Sequence, residues 1–293
     1  TKSFDPPPAV YRVVMEEEVH DVAWGTNLLS DKNLNDEPAP QLRLSDWAGS
    51  ISLTEWFEHE KPQRVHKPNW LELVSAEECQ DALRGLVFPS INDGDNEVKL
   101  VQKKLIAYVT KLCKRASRRA EVRDTHSTAL LRPTPASRKP TVKPDGALFD
   151  SRHAPTAGAH VVAVFDFKKG TDSFSKADVA QVLTYCQRIL AVEQPDRHEA
   201  SGFLLNGASV AFVRVARSST SGKPPRYEYQ FTPPLSVVQG EGGSTALPTG
   251  IRWLYSFFAT GSHRLGFDVV NNPFDATFVH STLLGHGVSS RVY

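Results

Sequence analysis

The chain has 293 residues, 40% of them hydrophobic, and a formal net charge of +1. That apolar content supports a real core for one large domain, or one domain with an appendage, and 20 prolines predict many loops. No run is long enough to span a membrane, and three widely separated cysteines (Cys79, Cys113, Cys186) argue for buried reduced thiols, against a disulfide framework or a zinc site.

The charge is unevenly placed. Residues 1 to 100 hold 19 acidic and 9 basic residues, whereas residues 111 to 143 hold 10 basic and 2 acidic. The basic run includes Arg115, Arg118, Arg119, Arg138, Lys139 and Lys143, and it leads into Pro144-Asp145. A cationic approach of this kind suits a phosphate-rich partner. The acidic N-terminal part is expected to cover that surface until a partner arrives.

In chain order, residues 1 to 45 read as mostly irregular, with Pro6-Pro7-Pro8 and a Glu16-Glu17-Glu18 run. Ser52 to Glu60 reads as a short helix capped by Ser52 or Thr54. Ser75 to Gly85 reads as a helix with Ser75 as N-cap, Glu78 three residues later and Gly85 at the end. A further helix is expected over Asn96 to Arg119, carried by Val101, Leu105, Val109 (or Tyr108) and Leu112. Residues 124 to 143, rich in Ser, Thr, Pro and Arg, read as a loop.

The most informative residues follow. Pro144-Asp145 is succeeded by the apolar run VVAVFDFK at 161 to 168, which reads as a buried strand. Positions two apart on a strand share a face, so Asp166 and Lys168 project together. Ser175 to Glu193 then reads as a helix, with Ser175 and Asp178 at capping-box spacing. Its apolar stripe is Val179, Val182, Leu183, Cys186, Ile189 and Leu190, while Gln181, Tyr185 and Arg188 occupy another face. Beyond it, Asn206-Gly207 between two apolar runs predicts a hairpin, Tyr227 to Phe231 a strand, and Ile251 to Ala259 a short aromatic helix that packs the core. Read as ordinary strand-end charges, Asp166 and Lys168 would carry no chemistry. Read together with Asp145, they have the composition of a magnesium site. Two carboxylates and the Phe167 carbonyl would supply oxygen ligands, and Lys168 would stand beside the phosphate.

The order Pro-Asp, Asp-x-Lys, Gln-x-x-x-Tyr resembles the PD-(D/E)xK nuclease superfamily, and its last element resembles the branch containing RecB-type nuclease domains. The resemblance implies an α/β fold, a restriction-endonuclease-like sandwich with a mixed central sheet flanked by helices. It would span residues 91 to 270, after an irregular or helical N-terminal extension at 1 to 90. It also implies Asp145 and Asp166 as metal ligands, Glu97 on the preceding helix as a third, and Mg²⁺ (or Mn²⁺) as cofactor. Lys168 would be the catalytic lysine, oriented with the substrate by Gln181 and Tyr185. Arg115, Arg118, Arg119, Arg138, Lys139, Lys143 and Lys169 would meet nucleic acid, DNA by the resemblance. An inactive module that binds DNA or regulates a neighbour is the alternative.

The final stretch, Gly285-His286-Gly287-Val288-Ser289-Ser290-Arg291-Val292, resembles the glycine-rich loop of protein kinases. A tight hairpin is the other reading. By the resemblance, Gly285 and Gly287 would approach nucleotide phosphates in a kinase domain of the parent chain, with 271 to 293 a linker and the start of that domain. The pairing is similar to fungal-type protein kinases and Crinkler-type effectors. The absence of an initiator methionine predicts an excised fragment, and the implied substrate predicts an intracellular, nuclear setting.

Overall fold

The computed structural model describes residues 10–15, 63–65, 73–91, 100–117, 119–132, 142–150, 155–170, 174–218, 226–238 and 247–267. Among these residues nine strands form one sheet: β1 (Val10–Met15), β2 (Gln63–Val65), β3 (Glu121–Asp124), β4 (Gly146–Phe149), β5 (Val161–Phe167), β6 (Glu199–Leu205), β7 (Ser209–Ser218), β8 (Arg226–Phe231) and β9 (Leu235–Ser236). The spatial order is β2-β1-β8-β7-β6-β5-β4-β3, and β9 pairs with β7 beside this path. Every pairing is antiparallel except β5 with β6. The sheet is therefore mixed, and its one parallel pair requires a crossover.

Four helices are described: α1 (Ala76–Ala82), α2 (Gln102–Ala116), α3 (Lys176–Arg188) and α4 (Thr249–Ala259). The crossover between β5 and β6 is α3, which continues through a π-helical turn at Ile189–Glu193. Strand alternation sorts the core onto two faces. Phe165, Phe167, Phe203 and Phe212 lie with residues of α2 and α4, whereas Val164, Leu204, Ala211 and Val213 lie with residues of α3. Phe165 stacks on Phe203 at 4.7 Å, and Phe257 and Phe258 of α4 meet Phe203 edge to face. The aromatics of α4 thus fill the core, as expected. No helix among the described residues is long and apolar enough to cross a membrane.

Local chemistry accounts for the bounds of α1. Ser75 caps α1, its Oγ accepting from Glu78 N at 3.2 Å, and Gly85 takes positive φ just after it. Leu105, Tyr108, Val109 and Leu112 of α2 are all buried, so Tyr108 and Val109 both belong to the inner face.

Four expectations change. The helix expected over Asn96 to Arg119 is α2 at Gln102–Ala116, and residues 92–99 lie outside the described residues. Strand β3 was not foreseen: of Glu-Val-Arg-Asp only Val122 is buried, because the strand sits at the sheet edge. β1 and β2 fall in a segment expected to be irregular or helical, yet β1 pairs with β8, so the sheet crosses the boundary drawn at residue 90. The hairpin at Asn206 exists, but Gly207 is not among the positive-φ glycines. Asn206 makes the turn by accepting from Ala208 N and Ser209 N at 2.9 and 2.7 Å. Gly207 is needed for space, since a Cβ there would sit 2.8 Å from Ile91 Cβ and 3.1 Å from Gly170 O. The helix expected at Ser52 to Glu60 lies outside the described residues.

Candidate functional site

The site forms at the carboxyl end of β5, next to the crossover helix, where open α/β sheets commonly bind ligands. Strands β4 and β5 pair Gly146 with Phe165 and Ala147 with Val164. One step further along this register, Asp145 stands across from Asp166. Val164 packs with α3, so alternation along β5 turns Asp166 to that side. Asp166 is only 3% exposed. Asp145 also stitches the strands together. Its Oδ2 accepts from Phe167 N at 2.7 Å, and its Oδ1 accepts from Gln102 Nε2, in the first turn of α2, at 3.0 Å.

Lys168 follows β5 directly, its N–H donating to Leu205 O at 3.0 Å. Its ammonium meets three groups: Asp166 Oδ2 at 2.7 Å, Asp178 Oδ1 at 3.3 Å and Gln181 Oε1 at 2.7 Å. Gln181 in turn donates through Nε2 to the Tyr185 hydroxyl at 2.6 Å. The amide is thereby oriented from both ends, oxygen toward the ammonium and nitrogen toward the phenol. The helix that carries Gln181 and Tyr185 is itself anchored by the expected capping box. Ser175 Oγ accepts from Asp178 N, and Asp178 Oδ2 accepts from Ser175 N at 2.9 Å.

Burial alone would pull the Lys168 ammonium down, but Asp166 and then Asp178 outweigh it and hold its pKa above the ordinary lysine value. Burial pushes the Tyr185 phenol well up, and the nearby Asp166 adds to this. At neutral pH the site therefore presents a charged ammonium and an un-ionised phenol. Asp145 acts on the Tyr185 phenol in the same direction as Asp166.

Asp166, Lys168, Gln181 and Tyr185 are joined in one network, and Asp145 bonds the backbone of Phe167 next to it. The cationic residues divide. Lys143, two positions before Asp145, and Lys169, next to Lys168, are exposed beside the site. Arg115 is not beside it. It lies thirteen residues along α2 from Gln102, about 20 Å of helix, and donates to Ala82 O and Arg84 O at 3.1 and 2.9 Å. It ties α2 to the end of α1. Arg119 lies beyond that same end of α2. Glu97, Arg118, Arg138, Lys139, Gly285 and Gly287 lie outside the described residues.

Two participants were missed from the sequence. Gln102 carries no motif of its own, and only the packing of α2 brings it to Asp145. Asp178 was visible as a cap, but its second oxygen on Lys168 was not. Arg188, on the stripe of Gln181 and Tyr185, is 1% exposed and its guanidinium has no hydrogen-bond partner among the described residues. Among the described residues there is no cluster of three or more His, Cys, Asp or Glu arranged for a metal. The charged groups of the site are Asp145, Asp166, Asp178 and Lys168.

No protein-family model, curated protein or solved structure matches this chain.

Proposed function

We propose that the chain is a metal-dependent nuclease with a restriction-endonuclease-like sandwich, hydrolysing phosphodiester bonds of nucleic acid, DNA by the family resemblance. One observation carries the reading. Asp145 and Asp166 stand across from each other, and Asp166 continues through Lys168 to Gln181 and Tyr185 in one hydrogen-bonded network. Short motifs matched by chance have no reason to converge in space.

The donor set fits a hard cation. Magnesium asks for one or two carboxylates and keeps several waters. A carboxylate offers about four lone-pair sites, so the hydrogen bonds to Asp145 leave it able to accept a cation. Asp145 and Asp166 would hold Mg²⁺ (or Mn²⁺), which when bound activates water and offsets charge on the phosphate. Lys168 supplies a fixed positive charge where negative charge develops on the phosphate oxygens. Gln181 holds that ammonium in position, and Tyr185 holds Gln181. Lys143 and Lys169 draw the phosphate backbone toward the site.

A second reading is favoured by one feature: Lys168 is already satisfied by Asp166, Asp178 and Gln181. A network closed on itself suits an inactive module that binds DNA or regulates an adjoining kinase. Cleavage of DNA and RNA with Mg²⁺ or Mn²⁺ separates the two. On the first reading wild type cleaves, and Asp166→Ala and Lys168→Ala each lose about 100-fold or more. Equal cleavage by all three proteins would trace the activity to another source and end the proposal. DNA binding without cleavage by wild type would select the second reading. The kinase association is tested by the parent coding sequence past Tyr293, where the lysine and catalytic-loop motifs of a kinase should follow.

A further inference from the structure

A groove of 530 Å³ opens on the α2 and α4 side of the sheet, lined by Phe88, Pro89, Ile91, Val237, Val238 and Ile251 among others. Val87 and Val238, which also line it, are 82% and 46% exposed. Phe88 is half-buried, and its ring packs on Tyr108 in a T-shaped pair with centroids 5.0 Å apart. That contact fixes the ring while part of it remains open.

The groove lies on the face of the sheet opposite α3 and comes near the candidate site only at the sheet's edge. Gly207 lines it, and the Gly207 N–H donates to Gly170 O at 3.1 Å. Gly170 is two residues beyond Lys168, a separation of about 7 Å at most along the chain. Cations flank the groove. Lys104 Nζ donates to the carbonyl of Ser90 at the lining, at 3.0 Å, and Lys169 is exposed on the turn that carries Gly170.

We propose that this groove receives unpaired nucleobases of the substrate strand, so that single-stranded nucleic acid is preferred to duplex. The proposal rests on the nuclease reading above. A base has two apolar faces that stack on an aromatic ring and pack on aliphatic side chains, whatever its identity. The phosphates on either side of it are anionic and match Lys104 and Lys169. A duplex keeps its bases stacked and paired inside, and must unstack one before it can use such a groove. A phosphodiester held at Lys168 therefore places the base of a neighbouring nucleotide at the groove only when the strand is single.

The test is fluorescence anisotropy of the full chain, in EDTA to prevent hydrolysis, with a labelled oligothymidine strand and a labelled duplex of the same length. Wild type should bind the single strand about ten-fold or more tightly over the duplex. Val87→Asp and Val238→Asp, both at exposed positions, should weaken single-strand binding about ten-fold and leave the melting temperature and duplex binding unchanged. Phe88→Ala should act in the same direction, and Phe88→Trp should retain binding. Equal affinity for the two forms, or no effect of the Asp substitutions, overturns the proposal. So does a self-association seen in sedimentation and abolished by Val238→Asp, which would assign the groove to a second copy of the chain. If duplex is bound and cleaved alike by all variants, the groove proposal falls and the nuclease reading stands. If no nucleic acid is bound or cleaved, both fall.

Discussion

Replacing Lys168 by Met removes the ammonium and keeps much of the apolar stem. It leaves Asp166, with a side chain 5% exposed, without its partner at 2.7 Å and with Asp145 opposite. The direct attraction at that distance is about 6 kcal/mol at an effective dielectric of about 20. The loss cannot reach that value, because Asp166 can take up a proton. For a carboxyl of ordinary acidity, protonation costs about 4 kcal/mol at pH 7 and about 1.5 kcal/mol at pH 5. Asp178 adds little, being 26% exposed on its own and already bonded to Ser175. Lys168→Met is therefore expected to destabilise the fold by up to about 4 kcal/mol at pH 7 and by no more than about 1.5 kcal/mol from this source at pH 5. Urea unfolding of both proteins at both pH values reads the difference directly. A destabilisation that is the same at pH 5 and pH 7, or below about 1 kcal/mol at pH 7, would mean that the pair is effectively solvated and that the buried-site description is wrong. The wild-type sign is the complement. The folded lysine is raised above its ordinary value, so its contribution is complete below the ordinary lysine range and is lost as pH rises through the folded value.

Ser175→Ala removes the Oγ that accepts from Asp178 N and should cost about 1 kcal/mol in urea unfolding. An unchanged midpoint would show that Asp178 alone holds the helix start. Arg188 is buried with no hydrogen-bond partner among the described residues, and burial lowers its pKa to about 10. Arg188→Met should therefore raise stability by about 1 kcal/mol or more, and a fall in the thermal midpoint would reveal a partner for the guanidinium. Burial raises Cys79 to about 11 and Cys186 to about 12, against 9.0 for a free thiol. Below pH 9 this leaves stability unaffected. Above it the unfolded thiols ionise while the folded ones do not, so the urea midpoint should fall between pH 9 and 11. The same burial predicts that a thiol reagent at pH 8 labels the native protein only as fast as it opens, which a comparison with urea-unfolded protein measures.

The legible parts of the molecule were those with a local signature. The run VVAVFDF announced β5 because every residue in it is buried. Ser175 and Asp178 announced the start of α3, and that start fixes the phase that puts Gln181 and Tyr185 on one side. The site was legible for the same reason: its members lie within a short stretch of chain on neighbouring elements. What stayed hidden depended on distant partners. Gln102 reaches Asp145 across forty-three positions, and nothing in its surroundings marks it. Strand β3 is charged and half exposed, so its identity comes from pairing with β4 and not from its own composition. Arg115 looked like part of a basic run, yet its donors go to the carbonyls of Ala82 and Arg84, a use that charge counting cannot reveal.

The pairing of β1 with β8 has a bearing on how the protein can be divided. β8 alternates Tyr227, Tyr229 and Phe231 with polar positions, and β1 covers its outer row of amides and carbonyls from Tyr11 to Met15. A fragment beginning at residue 91 would turn that internal strand into an open, aromatic-rich border. Such a border recruits other chains, by swapping or by fibril-like stacking. The N-terminal segment thereby acts as a guard against self-aggregation, and shortening the protein from that side should lower its yield in monomeric form well before it disturbs the network around Lys168.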